Sequence, residues 1–306
     1  MRHIKTEMNK HFFSLLYLSL TLIIVFSCSS DSSDDQQTAL PPNEIGPQYT
    51  KENDSIIDFL KNHFYNYDDF ENISSNEQIE LKIDSIKGDN LNKTPLFNQV
   101  TTMSVDILNS NDEKISHNLY YIITRPGVGE SPTVADSVFV SYKGMLISNS
   151  TFDTRKNPVW LDQTSVVRGF QEFTPLLKKG NVIVNNNGTY SFENFGSGIV
   201  IFPSKLGYYE KPTSSIPAYS PLIFQVNLKT LNTTDHDSDG VNSIEEDLNN
   251  DHIFTNDDTD SDGIPNFYDN DDDGDGIPTK DEYDSDDDGV VDDSDQDGIP
   301  DYLDID

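Results

Sequence analysis

The sequence is short of cysteine and of basic residues, and each shortage excludes a class of function. Its single cysteine, Cys28, lies near the N-terminus, so the remainder of the chain has no thiol for a disulfide or for nucleophilic catalysis. Lysine and arginine number 20 against 54 aspartates and glutamates. Because binding to a phosphate backbone requires clustered basic residues, we expect no nucleic-acid partner.

The acidic residues are concentrated at the C-terminal end. Residues 235–306 contain 29 aspartates and glutamates and a single lysine, and carry about −28 of the formal net charge of −34. The preceding residues have an ordinary composition, with enough valine, isoleucine, leucine and aromatic residues to bury a core. The sequence therefore predicts a folded domain followed by an acidic region with a separate role.

The N-terminal residues are typical of a targeting segment. An apolar run from 12 to 26 follows Lys10 and His11 and ends in small residues. The residues Val25-Phe26-Ser27-Cys28 resemble a bacterial lipobox, which predicts a signal peptide over 1–28 and acylation of Cys28. We expect a lipid anchor in the outer membrane, with either a periplasmic or an outward orientation. Residues 29–50 have no apolar period and are predicted to be a flexible tether; their acidic cluster resembles the surface-export signals of Bacteroidota lipoproteins.

The central residues predict a mixture of strands and helices. An amphipathic helix is expected from Asn53 or Asp54, with Ile56, Ile57, Leu60 and Phe64 on one face, in a helical annex over 51–100. Strands are predicted at 119–124, 137–146, 199–202 and 222–231, and a helix from Arg168 to Lys179 that ends at Gly180. This pattern indicates an α+β fold with an antiparallel sheet.

Five segments in this region occur in a recognisable order: VSYKGML, TFDTRKNPVWL, SVVRGF, IFPSKLGYY and SIPAYSPLIFQVNL. Together they resemble the successive blocks of FKBP-type peptidyl-prolyl isomerases. The resemblance implies, for residues 101–232, a bent antiparallel sheet around a short helix. The Asn-rich stretch 181–198 and the segment NHFYNYDDF resemble the lipoprotein subgroup of that family in Bacteroidota. No phosphate loop, Ser-His-Asp order or zinc spacing accompanies these segments.

The resemblance also implies a site and a substrate. Proline-containing polypeptides are the expected partners, and catalysis is expected to need no cofactor, because rotation about an amide requires neither a nucleophile nor a metal. The site residues that the resemblance implies are Tyr142, Phe152, Asp153, Arg155, Val166, Val167, Phe170, Tyr208, Ile216 and Phe224, with Val166 and Val167 on a strand before the helix. Four positions differ from the family's usual residue, namely Val159, Phe170, Tyr209 and Ser215.

The acidic region repeats one calcium-loop pattern. Loop positions 1, 3 and 5 carry Asp, position 6 is Gly and position 12 is acidic, as in loops that bind calcium through carboxylates. Two intervals of 13 residues separate the second, third and fourth copies. The predicted ligands are Asp235, Asp237, Asp239 and Glu246; Asp258, Asp260, Asp262 and Asp269; Asp271, Asp273, Asp275 and Glu282; Asp284, Asp286, Asp288 and Asp295; and Asp293, Asp295, Asp297 and Asp304.

These loops differ from EF-hands. Pro265, Pro278 and Pro300 occupy position 8, whose backbone N–H would pair two hands, and no apolar helices flank the loops. The spacing resembles thrombospondin type 3 repeats, so residues 233–306 are predicted to bind structural Ca²⁺.

Two functions remain open from the sequence. The first is a peptidyl-prolyl isomerase anchored at the cell envelope, with the calcium repeats as an accessory. The second is a calcium-dependent surface binding or adhesion protein whose FKBP-like domain is catalytically weak. The five ordered segments favour the first function, whereas the four altered positions keep the second in consideration.

Overall fold

The structure is a computed structural model and describes residues 43–286 and 288–305. The predicted signal peptide, Cys28 and the first part of the predicted tether lie outside the described residues. Within the described ranges, no helix combines the length and the apolar character that crossing a membrane requires.

Three α-helices and ten β-strands are found among the described residues. The helices are α1 (Ile45–Asn62), α2 (Arg168–Phe173) and α3 (Thr279–Glu282). The strands are β1 (His63–Tyr65), β2 (Ile83–Ser85), β3 (Thr101–Leu108), β4 (Lys114–Arg125), β5 (Ser137–Leu146), β6 (Thr151–Asp162), β7 (Asn181–Val184), β8 (Tyr190–Glu193), β9 (Gly196–Phe202) and β10 (Leu222–Asn232). These elements confirm the α+β class.

The central sheet has six strands in the order β3-β4-β9-β10-β5-β6, and every neighbouring pair is antiparallel. Strands β1 with β2 and β7 with β8 form separate two-stranded sheets. The predicted strand over Ser137–Leu146 matches β5 in both bounds, because its apolar residues alternate as a strand's faces do.

Helices cover both faces of the central sheet. Phe170 and Phe173 of α2 pack on one face against Val200 and Phe224. On the opposite face α1 packs against residues that alternate with these, including Ile199, Ile201 and Ile223. Because both faces are covered, β9 is buried along its whole length.

Helix α1 begins at Ile45, earlier than the sequence indicated. The tether prediction is therefore wrong for residues 45–50, and the predicted start at Asn53 or Asp54 is also wrong. The sequence pattern did not reveal the first turns of α1, because the residues there that face the core are polar. Glu52 is buried and accepts hydrogen bonds from the Ser204 backbone N–H at 2.6 Å and from the Ser204 hydroxyl at 2.7 Å.

Two further details of the helices differ from expectation. Phe64 was predicted on the apolar face of the first helix but lies in β1, and the rest of the annex consists of short strands and 3₁₀ turns rather than helix. The second helix ends at Phe173 and continues only as a 3₁₀ turn to Leu176, short of Gly180. Pro175 explains this ending, because proline has no N–H to continue an α-helix.

The acidic region packs against the preceding domain. Phe254 and Phe267 form a buried apolar cluster with Val134 and Ala135, and Ile244 packs against it. The helical turns at the acidic loops, such as α3, are single turns within the last four loop positions. Among the described residues these loops therefore lack the long flanking helices of an EF-hand, as the sequence predicts.

Candidate functional site

A cavity of about 690 Å³ opens between α2 and the sheet. Its walls come from β5, β6, α2 and β10, together with the chain from Gly207 to Ile216. Nine of the ten residues that the sequence assigned to the site line this cavity, namely Tyr142, Phe152, Asp153, Val166, Val167, Phe170, Tyr208, Ile216 and Phe224. Residues more than 80 positions apart in sequence are thus brought to one concave surface.

Phe224 is the centre of the aromatic wall. Its ring meets Phe152 at a centroid distance of 5.4 Å and Phe170 at 5.5 Å, both edge to face. Phe202 stacks behind it at 5.9 Å. Edge-to-face packing fixes each ring against the next, so the wall is rigid as well as apolar.

Gly144 leaves room for the aromatic rings of this wall, because it has no side chain. A side chain at this position would place Cβ 2.5 Å from the ring of Phe152 and 3.0 Å from that of Phe224, closer than carbon atoms pack. A glycine within a strand commonly marks such a close approach, and this signal in the sequence was not used to assign the site.

Tyr142 and Asp153 form the polar element of the cavity. The Tyr142 hydroxyl donates to Asp153 Oδ2 at 2.6 Å, and Asp153 Oδ1 accepts the Thr154 backbone N–H at 2.8 Å. Burial, together with the hydrogen bond to the carboxylate, raises the pKa of Tyr142 to about 12. The tyrosine therefore remains a neutral donor at physiological pH and holds the carboxylate in place.

Three of the predicted assignments need correction in detail. Arg155 does not line the cavity; it faces an adjoining cleft of about 200 Å³, and its Nη1 lies 3.9 Å from Asp153 Oδ1. Its side chain is 55% exposed, so solvent screens this interaction. Val166 and Val167 lie in extended residues between a 3₁₀ turn and α2 rather than on a strand.

The altered position Tyr209 lies away from the cavity. Its φ is +49°, the left-handed region where glycine is usual. The residue is held there by a hydrogen bond from its hydroxyl to the Asn43 carbonyl and by an edge-to-face contact with Tyr219. Val159 also does not line the cavity, whereas Ser215 does. Two of the four departures therefore leave the cavity lining unchanged.

Arg168 is a cavity residue that the sequence did not reveal. Its guanidinium donates to the carbonyls of Asp251 at 2.6 Å and His252 at 2.5 Å, and its Nε lies 2.7 Å from a Glu172 carboxylate oxygen. Glu172 also contacts His252 Nδ1 at 2.9 Å, and this hydrogen bond raises the pKa of His252. The cavity wall is thereby joined to the acidic region.

The five acidic loops share one backbone geometry. In each loop the N–H of the glycine at position 6 donates to the aspartate at position 1, over distances from 2.9 to 3.5 Å. Each of these glycines has a φ between 83 and 103°, which side chains disfavour. The N–H of position 7 donates to the aspartate at position 5 in all five. The regular spacing of the acidic loops in the sequence thus corresponds to one repeated backbone geometry in the structure.

The loop carboxylates are arranged as metal-ligand groups. In four loops the carboxylates at positions 1, 3 and 5 each supply an oxygen within 4.8 Å of the others. Burial and neighbouring aspartates raise the pKa of Asp237 and of Glu282, each to about 7. Hard cations such as Ca²⁺ favour such groups of carboxylate oxygens.

Two family models match parts of the chain. Residues 129–229 match FKBP-type peptidyl-prolyl cis-trans isomerase, and residues 236–290 match BamM C-terminal. The second match is different from thrombospondin type 3 repeats, so that resemblance stays a prediction.

Individual relatives match 37 to 38% of the chain. FkpA, an FKBP-type peptidyl-prolyl cis-trans isomerase of Buchnera aphidicola, is 35% identical over 119 residues, which are 38% of this chain and 41% of the relative. The probable FkpA of Neisseria meningitidis is 34% identical over 125 residues, 37% of this chain and 45% of that protein. The crystal structure of Escherichia coli FkpA is 30% identical, over 37% of this chain and 47% of that chain, with a TM-score of 0.31.

The chain thus spans less than half the length of these relatives. The range that the FKBP family model matches, 129–229, contains the cavity residues from Tyr142 to Phe224. Residues 129–229 are therefore similar to the FKBP-type peptidyl-prolyl cis-trans isomerases.

Proposed function

We propose that the protein is a peptidyl-prolyl cis-trans isomerase that acts on X-Pro bonds of other polypeptides. The observation that carries the proposal is the aromatic cavity of about 690 Å³, closed behind by Phe224 and Phe170 and carrying the Tyr142–Asp153 pair on its wall. The family match over 129–229 supports the same activity.

The mechanism is rotation of the amide without covalent chemistry. An X-Pro bond isomerises across a barrier near ~20 kcal/mol and takes on the order of 10–100 s unaided. The twisted amide has lost resonance and much of its dipole, so an apolar cavity favours it relative to the planar, more polar ground state. The aromatic wall around Phe224 supplies that environment.

Polar groups at the cavity hold the peptide while the bond turns. The Tyr208 side chain lines the cavity and is 37% exposed, and no hydrogen bond within the described ranges uses its hydroxyl. It is free to donate to a substrate carbonyl. Asp153 accepts from Tyr142 and Thr154, so its role is to fix the wall rather than to transfer a proton.

The acidic region is proposed to bind structural Ca²⁺ in a manner similar to thrombospondin type 3 repeats. Among the described residues, Asp258 Oδ1 and Asp273 Oδ2 are buried without a hydrogen-bond partner. Unpaired buried carboxylate oxygens are costly unless a cation meets them, so these residues fit calcium. Affinities of roughly 10⁻⁴ to 10⁻³ M are expected, as in extracellular modules.

Anchoring completes the proposed function. Acylation of Cys28 would attach the chain to the outer membrane, where its substrates would be polypeptides of the cell envelope. The apolar run over 12–26 and the small residues around Cys28 support this location.

Exchange measurements on a peptide with an apolar residue before proline test the isomerase proposal. We expect the full chain to accelerate exchange both in calcium and in chelator, since none of the cavity residues is a predicted calcium ligand. Phe170→Ala should slow exchange strongly because it opens the aromatic wall. A chain that binds the peptide but leaves exchange at the rate of buffer would contradict the proposal and favour the adhesion function.

A further inference from the structure

The second position of the acidic loops has a common role in the backbone. Its N–H donates to the side chain at position 9 in all five loops, at distances from 2.6 to 3.1 Å. Four of these second residues are His236, Thr259, Ser285 and Ser294. The third loop has Asp272 instead, and the linear calcium pattern assigns no ligand to this position.

Asp272 meets carboxylates of the first loop. Oxygens of Asp239, Glu246 and Asp272 lie within 4.8 Å of one another. The three residues are only 2%, 1% and 1% exposed. Because Asp272 is 26 positions beyond Glu246 in the sequence, the fold creates this group.

Five oxygens of this group have no hydrogen-bond partner within the described residues. They are Asp239 Oδ2, both carboxylate oxygens of Glu246 and both of Asp272. None of the described ion pairs includes these residues. Three buried carboxylates that face one another without a cation would repel strongly, whereas a cation bound between one oxygen of each residue would offset that repulsion.

We propose that Asp239, Glu246 and Asp272 bind one divalent cation and that this ion joins loop 235–246 to loop 271–282. Several carboxylate oxygens in one buried group suit Ca²⁺, which takes six to eight oxygen ligands, better than Mg²⁺, which retains several waters. The inference rests on the proposed calcium binding and adds a ligand, Asp272, and a connection between loops.

The joined segment reaches the isomerase cavity. An ion at this site would fix both ends of residues 247–271, which include Asp251 and His252. The carbonyls of these two residues accept hydrogen bonds from Arg168 of the cavity wall. The ion would therefore hold the acidic region against the domain that carries the cavity.

Calcium titration of the full chain tests the proposal. The variant is Asp272→Asn, and the matched control is Asp281→Asn, which removes the same charge from an exposed residue outside the predicted ligands. We expect Asp272→Asn to weaken one calcium site by about tenfold or more, since even removal of a residue behind a ligand costs that much, and Asp281→Asn to leave every site unchanged. If both variants bind calcium as wild type does, the shared site is refuted while calcium binding by the loops stands. If wild type binds no calcium, the calcium part of the proposed function fails as well.

Thermal unfolding in chelator and in calcium separates a ligand from a structural residue. In chelator, Asp272→Asn should raise the melting temperature above that of wild type, because it removes one of three mutually repelling buried carboxylates. In calcium, the same variant should have a lower melting temperature than wild type. Glu246→Gln should give the same reversal. A lower melting temperature in both conditions for both variants would overturn the proposal.

Discussion

Replacing Tyr142 by phenylalanine removes one hydroxyl from the cavity wall and leaves the ring in place. Asp153 Oδ2 then loses the donor that lies 2.6 Å away in the structure. A hydrogen bond to a charged group contributes ~1.5–3 kcal/mol when buried. The Asp153 side chain is 40% exposed, so water replaces part of the bond, and we expect a loss of about 1 to 1.5 kcal/mol.

This loss should appear in the rate of isomerisation. If the pair positions the wall for the twisted amide, the same free energy raises the barrier and slows turnover by about five- to twelvefold. The assay is exchange spectroscopy on an X-Pro peptide with the full chain. Tyr121→Phe is the matched control. Tyr121 lies on the same sheet as Tyr142, its ring packs near Phe173 of α2, and it does not line the cavity.

A double-mutant cycle identifies the cause. Asp153→Asn should slow turnover by a similar factor, and the two changes together should cost little more than either alone, because both remove one interaction. Turnover of Tyr142→Phe equal to that of the Tyr121→Phe control would refute the positioning role of the pair.

Three further outcomes are expected. Turnover should be flat between about pH 6 and 9. Because the pKa of Tyr142 is raised to about 12, its donating form and the stability that it contributes are fully present below its ordinary pKa of 10.0 and are lost only as the pH rises through about 12. A step in turnover near pH 9 assigned to Tyr142 would contradict this expectation. Addition of about 10 mM calcium should stabilise the chain by about 1.4 to 2.7 kcal/mol for each occupied site. Scattering should show residues 235–306 compact in calcium and expanded in chelator. Identical scattering profiles and identical unfolding curves in the two conditions would exclude calcium binding. Fatty-acid labelling should mark the wild-type chain and not Cys28→Ala, and label on that variant would rule out the anchor.

The amino-acid pattern alone was sufficient for the strands that bear the cavity. Strand β5 was predicted with both bounds because the apolar side chains of Ser137–Leu146 alternate between faces. Nine of the ten site residues that the ordered segments implied line the cavity. The acidic loops were equally predictable from the sequence, because Gly at position 6 and Asp at positions 1 and 5 make hydrogen bonds within a few residues of the chain.

Other features depend on partners that are distant in sequence. The inward side of α1 carries Glu52, which looks solvent-exposed in the sequence but binds Ser204, 152 residues away. Arg155 was predicted to line the cavity, whereas it lines the neighbouring cleft.

The sequence by itself thus determined which residues form strands, which form the regular acidic loops and which segments supply the aromatic cavity, since each of these signals is local. The tertiary structure decided that Asp153 is held by Tyr142, that Arg168 joins the cavity to the acidic region, and that Asp272 lies against Glu246. The physical reason is that hydrogen bonding and charge repulsion act over a few ångströms in space. Separation along the chain does not reveal which groups the fold brings within that distance.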